Sequence, residues 1–341
     1  MIFLKKIKKI LSVALSGAIL LGFSQITAVS ETESQSVYLG GQPFGVKFYN
    51  NGVVVINLES YYDGNKYVCP AKEGGLKVND VIKEVNGEAI CTNEALQEAA
   101  VNSSGETLTL TVKRDGKELC KKISPKKNTA GMYLIGAWVR DSCAGIGTIT
   151  YYDTDNNYFA ALGHGICDND TSLLLPLGSG EAVHANINGV TKSSFGKAGS
   201  LNGYFTESTI GYLIKNTEVG VYGTISDNFS NKERKIEIAK NNDIKTGNAE
   251  LYTTIDGEEP QYYSIEITKI VNLNYDCNEN FVIKITDEKL MKCCGGIVQG
   301  MSGSPIIQND KLVGAVTHVF LNNPSEGYGV TAQNMATNYD E

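Results

Sequence analysis

The sequence predicts a mainly β protein in two parts, a small α+β domain followed by a larger all-β domain. Three observations predict it. Short apolar–polar alternations, broken by Gly, Asn and Asp turn signals, recur from Phe44 to Phe320, as strands do and alternating βα units do not. One stretch of the N-terminal part, residues 93–103, carries a helical pattern of good helix formers. Beyond a polar, basic linker at 124–131 the helical pattern fades and glycine becomes frequent, the composition of a sandwich or barrel.

The first thirty residues differ in kind. Lys5, Lys6, Lys8 and Lys9 precede an uncharged apolar run of fourteen residues, and small residues follow. This layout predicts a signal peptide or N-terminal anchor and hence an exported protein. The remainder holds 26 basic against 38 acidic residues, a net charge of −12. Without a basic stripe, nucleic acid is excluded as a partner, and anionic lipid is disfavoured. The eight cysteines are an even number, which permits disulfides without specifying them. With three histidines and no Cys pair at zinc spacing, neither a structural metal nor an organic cofactor is expected.

Residues 37–127 read as the small domain. "FGVKFYNNGVVVINLE" predicts two strands joined at Asn50-Asn51-Gly52. "NEALQEAAVNS" predicts the helix, and "ETLTLTVKRDGKELCKKIS" a hairpin turning at Arg114-Asp115-Gly116. Between them lie Ala71, Gly75-Leu76, Asp80-Val81-Ile82 and Asn86-Gly87, a pattern that resembles the PDZ signature. Asn79 stands where glycine is usual and tolerates the same left-handed turn. The resemblance implies that "PFGV" is a carboxylate-binding loop, with the N–H groups of Phe44, Gly45 and Val46 holding a peptide end. The peptide would be a partner's or this chain's own.

Residues 130–341 read as the all-β domain, with Trp138 expected in its core. Its densest signal is "GGIVQGMSGSPIIQNDKLVGAVTHVF", residues 295–320. Glycine on either side of Ser302 makes a tight turn able to aim N–H groups at a ligand, as a serine nucleophile requires. A base is then needed. His164 lies between Gly163 and Gly165 and is open on both sides. His184 reads as a surface-loop residue, and His318 as packed or pocket-lining. For the orienting carboxylate, spacing leaves Asp153, Asp155, Asp168, Asp170, Asp227, Asp276 and Asp287 all open. Neither Cys293 nor Cys294 lies in the glycine turn, which disfavours a thiol nucleophile.

"GMSGSP" is similar to the serine turn of chymotrypsin-like proteases, and "AALGHG" to their histidine segment. The order of signal segment, PDZ-like domain, "ALGHGI", "ITD" and the 295–320 block resembles the stage IV sporulation protein B peptidases of endospore-forming bacteria. That resemblance implies a chymotrypsin-like all-β barrel and a triad of His164, Asp287 and Ser302. It implies an oxyanion hole at the N–H groups of Gly300 and Ser302. It further implies self-processing and action between forespore and mother-cell membranes, on a membrane-anchored regulator of an intramembrane protease that processes a sigma-factor precursor. The alternative is a catalytically silent PDZ-type adaptor in the exported compartment.

Overall fold

A computed structural model describes residues 35–226, 234–273 and 277–340, so the leader expected at 1–30 lies outside the described residues. The small domain is built as its turns dictate. Asn86-Gly87 (φ 55° and 86°) and Asp115-Gly116 (φ 50° and 75°) each place two residues in the left-handed region that a tight hairpin demands. They join Val81–Val85 to Glu88–Ala89 and Leu108–Arg114 to Lys117–Ile123. Asn79 adopts φ 72°, as expected where glycine is usual. The helix Asn93–Asn102 begins where the Thr92 hydroxyl accepts the Ala95 N–H at 3.1 Å. Its Leu96 and Ala100 close a core with Val53, Ile82, Leu110 and Val112.

The hairpin expected at Asn50-Asn51-Gly52 does not form. Pro43–Leu58 is one strand, paired along its length with Ala137–Asp153. Arg140 faces Val54 while Ser142 already faces Tyr49, so residues 50–53 bulge out, with Gly52 at φ 108°. The turn signal is answered by a bulge because the partner strand runs past it on both sides. Val53 and Val54 then pair with Ile82 and Val81 of the small domain. The earlier half, Pro43–Tyr49, pairs with Leu177–Thr191 of the large one. The range 37–127 therefore mixes both domains: the small domain sits between two paired strands of the large one.

The large domain is two partial rings of antiparallel strands. In the first, pairing runs from Pro43–Leu58 through Ala137–Asp153, Tyr158–Ala161, Gly220–Ile225, Gly199–Thr217 and Leu177–Thr191, back to the first strand. Phe44, Phe48, Ile149, Phe159 and Val221 fill it. The second runs from Gly247–Thr253 through Gln261–Ile270, Phe281–Ile285, Glu326–Thr331, Lys311–Val319 and Pro305–Gln308. It returns to Gly247–Thr253 through only two residue pairs, Glu250 with Ile307 and Leu251 with Ile306. Leu251, Phe281, Ile283, Ile306 and Val316 fill it.

A third cluster, with Tyr151, Tyr158, Tyr222, Leu312 and Met335, joins the rings under the C-terminal helix Ala332–Asp340. Each large buried side chain there contributes about 1.5–3 kcal/mol. Trp138 is not in a core. It is 58% exposed, and its indole N–H donates to Glu59 at 2.6 Å. Its neighbours Ala137 and Val139 take the inward positions against the small-domain core, and strand alternation turns Trp138 out.

Candidate active site

Ser302 and His164 come from different rings and line one cleft of about 870 Å³. Ser302 sits in the turn between Val298–Gln299 and Pro305–Gln308. Gly300 and Gly303 adopt φ 99° and 92°, and a Cβ on Gly303 would fall 2.1 Å from the Thr148 carbonyl oxygen and 2.4 Å from the Leu162 nitrogen. Glycine is demanded there by both dihedral and space.

Threonines of the first ring pin the turn. The Thr148 N–H donates to the Ser302 carbonyl (3.0 Å), its hydroxyl to the Gly300 carbonyl (2.8 Å), and the Thr150 hydroxyl to the Gly303 carbonyl (2.8 Å). The Gly303 N–H donates to Val316. Ser304 is buried, with its hydroxyl 2.7 Å from that of Thr253. Among the loop and turn bonds of the described residues, the Ser302 N–H has no backbone acceptor, while Gly300 directly follows Gln299, which pairs with Ser200. A free N–H donor beside a hydroxyl can contribute to binding an oxyanion.

His164 follows Leu162 and Gly163, at φ 68° and 69°. A leucine in the left-handed region stores strain that the surrounding contacts must hold. They do, because Gly163 lies against Val316 and Thr317, with room for a Cβ only at 3.1 Å. The imidazole Nδ1–H donates to the Gly165 carbonyl at 2.8 Å. A carbonyl can only accept, so this bond fixes the tautomer and leaves Nε2 as the acceptor a general base needs. Burial, reinforced by the neighbouring His318, pushes the His164 pKa down to about 4, and the Gly165 bond offsets only part of this. His318 lines the cleft as expected, its ring centroid 4.9 Å from that of His164. The Ser302 hydroxyl donates to the Thr317 carbonyl at 2.8 Å rather than to His164.

Three expectations are corrected. Asp287 is not brought to His164. It is the N-cap of the helix Glu288–Cys294, where its carboxylate accepts the Leu290 N–H at 2.9 Å and the Ser264 N–H at 3.5 Å. The run "EKLMKCC" after it is a helix-start signal that the reading of "ITD" as a strand end passed over. Phe44, Gly45 and Val46 form no loop. They lie mid-strand, paired on one side with Gly147, Ile146 and Gly145 and on the other with His184, Val183 and Ala182. Ladder bonds on both sides leave no room for a peptide carboxylate. His184 is in that same ladder, half-buried in Leu177–Thr191 rather than in a loop.

Residues that sequence reasoning missed hold the site. Asn216 accepts the Ile166 N–H (2.8 Å) and donates to the carbonyls of Ile166 and Leu175 (2.9 Å each), which closes the loop after His164. Arg140, Thr148 and Thr150 reach the site from a strand far away in sequence, and no local pattern marks them. Cys143 and Cys167 line the cleft, but burial pushes both thiols up, away from the reactive thiolate.

The SpoIVB peptidase S55 family matches residues 131–336, and the PDZ domain family residues 22–124. Among solved structures, the PDZ domain of the SdrC-like protein (Lmo2051) from Listeria monocytogenes is 23% identical. The match spans 26% of this chain and 87% of that one, at a TM-score of 0.22. The Rv3671c protease of M. tuberculosis, in an inactive form, is 12% identical over 56% of this chain and 81% of that one, at a TM-score of 0.31. The chain belongs to the SpoIVB peptidase S55 family: it is a serine peptidase that also carries a PDZ domain.

Proposed function

We propose that Ser302 is the nucleophile and His164 the general base of an endopeptidase. The observation that carries this reading is the meeting of the two residues in one cleft, at a glycine turn where the Ser302 N–H has no backbone acceptor among the described residues. The Ser302 hydroxyl turns from the Thr317 carbonyl to Nε2 of His164 as substrate enters. Its oxygen attacks the scissile carbonyl while Nε2 takes the proton, and the N–H groups of Gly300 and Ser302 receive the oxyanion. Collapse breaks the C–N bond, and the proton leaves with the amine. Water then repeats the sequence on the acyl-enzyme, releasing the acid and restoring Ser302.

The biological reading is narrower still. An exported peptidase of this family, acting between the membranes around a forespore, would cut itself and then a membrane-anchored regulator of an intramembrane protease. Family membership and the lysine-flanked apolar segment at 1–30 support this reading. A fluorophosphonate probe with peptide mapping tests the chemistry. Label is expected on Ser302 and absent from Ser302→Ala and His164→Ala. Self-cleavage persisting in purified Ser302→Ala protein would overturn the assignment.

A further inference from the structure

The bond that orients His164 is made by the carbonyl of Gly165. Whatever fixes the loop carrying Gly165 therefore fixes the imidazole. The loop runs from Gly165 to Leu175, and at its centre is Asp168, a carboxylate only 2% exposed. One of its oxygens accepts the N–H groups of Asp170 (3.0 Å) and Thr171 (2.9 Å) and the Thr171 hydroxyl (3.2 Å). The other accepts Nε of Arg140, whose Nη2 donates to Asp170 at 2.8 Å. Burial alone would push the Asp168 pKa up. The two N–H bonds and the guanidinium outweigh it and hold the carboxylate below its ordinary value. Among the described residues, Arg140 is the one cation paired with this buried anion.

Arg140 is not part of the loop. It lies on Ala137–Asp153 opposite Val54, in the stretch of strand that the small domain shares. The next residue, Asp141, accepts the N–H of Asn93, the first residue of the PDZ helix, at 2.9 Å. Two adjacent side chains of one strand thus reach in two directions. One grips the PDZ helix at its N-terminus, and the other grips the loop that aims the catalytic histidine.

We propose that Arg140 is a positioning residue for His164, acting through Asp168, and that Arg140 and Asp141 together tie the reactive loop to the PDZ helix. The proposal rests on His164 as the base. Removing the guanidinium leaves a buried carboxylate unpaired, and the loop relaxes to expose it. A displacement of about 1 Å at a catalytic group costs on the order of a hundredfold in rate. Arg140 and Asp168 line the same cleft, so the test reads reagent binding separately from the maximal rate, and a positioning role changes the rate alone.

The test is a double-mutant cycle read by fluorophosphonate labelling of the full chain. Arg140→Gln and Asp168→Asn are each expected to slow the maximal labelling rate by roughly ten- to a hundredfold, with the half-saturating reagent concentration unchanged. The double variant should be no slower than the slower single, because both remove one interaction. Arg140→Lys, which keeps the charge, should recover part of the rate. Should Asp168→Asn fail to fold, Arg140→Gln carries the test, since Asp168 keeps its loop bonds there. Unchanged labelling in folded Arg140→Gln, or losses that multiply in the double variant, would overturn the pair. Asp141→Ala is expected to slow labelling as well, and a normal rate there would overturn the link to the PDZ helix. Label on Ser302 of the unaltered protein separates the two levels. Its absence overturns the nucleophile and this pair together, whereas a labelled parent with indifferent variants overturns the pair alone.

Discussion

Replacing His318 with glutamine gives a pH experiment whose sign follows from the site. Burial is the larger cause that lowers His164 to about 4 from its ordinary 6.5, and the neighbouring His318 is the second. Only the neutral imidazole accepts the serine proton, so labelling of the parent should rise as pH increases through about 4 and then level off. In His318→Gln the second cause is gone and the first remains. The midpoint must then move up, to between about 4 and 6.5. Below both midpoints, each unit of that movement removes about tenfold of the reactive imidazole. The assay is the rate of fluorophosphonate labelling from pH 3.5 to 7, with circular dichroism at each pH to confirm the fold. A midpoint that stays put or falls in the variant would refute the coupling between the rings. A parent midpoint near 6.5 would refute the role of burial. The same depression has a consequence for stability. The unfolded chain binds a proton at His164 that the folded chain resists, so this residue's contribution to stability declines as pH falls from about 6.5 towards 4.

Three further outcomes are expected. Gly303→Ala drives a Cβ into the Thr148 and Leu162 backbones at a left-handed dihedral and should cost about 2–5 kcal/mol in denaturant titration; a shift below 0.5 kcal/mol would contradict the packing described. Gly45→Val places its Cβ 2.4 Å from the Phe205 ring and should lower the melting temperature and Ser302 labelling together; a fully stable variant that loses only peptide binding would restore the carboxylate-loop reading. Asp287→Ala should cost about 1 kcal/mol through loss of a helix cap, whereas Asp287→Asn, an equally good cap, should keep both stability and near-normal turnover. A fall in turnover on the order of 10⁴ in the asparagine variant would instead place Asp287 beside His164 during catalysis.

What was legible in the sequence divides along a physical line. Local demands could be read: the dihedrals of Asn79, Asn86-Gly87 and Asp115-Gly116, the helix at 93–103, and the glycines around Ser302 and His164 all appear where their chemistry requires. These signals are written in neighbouring residues. The bulge at residues 50–53 was misread because hairpin and bulge make the same demand for a positive φ, and only the distant strand Ala137–Asp153 decides between them. Trp138 was misplaced because alternation does not say which face meets a core. Arg140, Thr148, Thr150 and Asn216 hold the site through partners 28 to 153 positions away, or about 50 for Asn216, and no motif spans such distances.

The geometry at His164 separates two duties that one carboxylate performs in a triad. A triad aspartate selects the tautomer and also stabilises the imidazolium formed during attack. Here the Gly165 carbonyl performs the first duty, since a hydrogen bond to any fixed acceptor keeps the proton on Nδ1. It performs little of the second, because a carbonyl carries a dipole and no net charge, and burial together with His318 opposes the cation. Asp168, the buried carboxylate closest in sequence, is committed to Arg140 and to its own loop, so its charge is already balanced. As the proposed base, His164 is correctly aimed but weak. The leverage over its rate lies in the loop that aims it, and that loop is anchored on a strand shared with the PDZ domain.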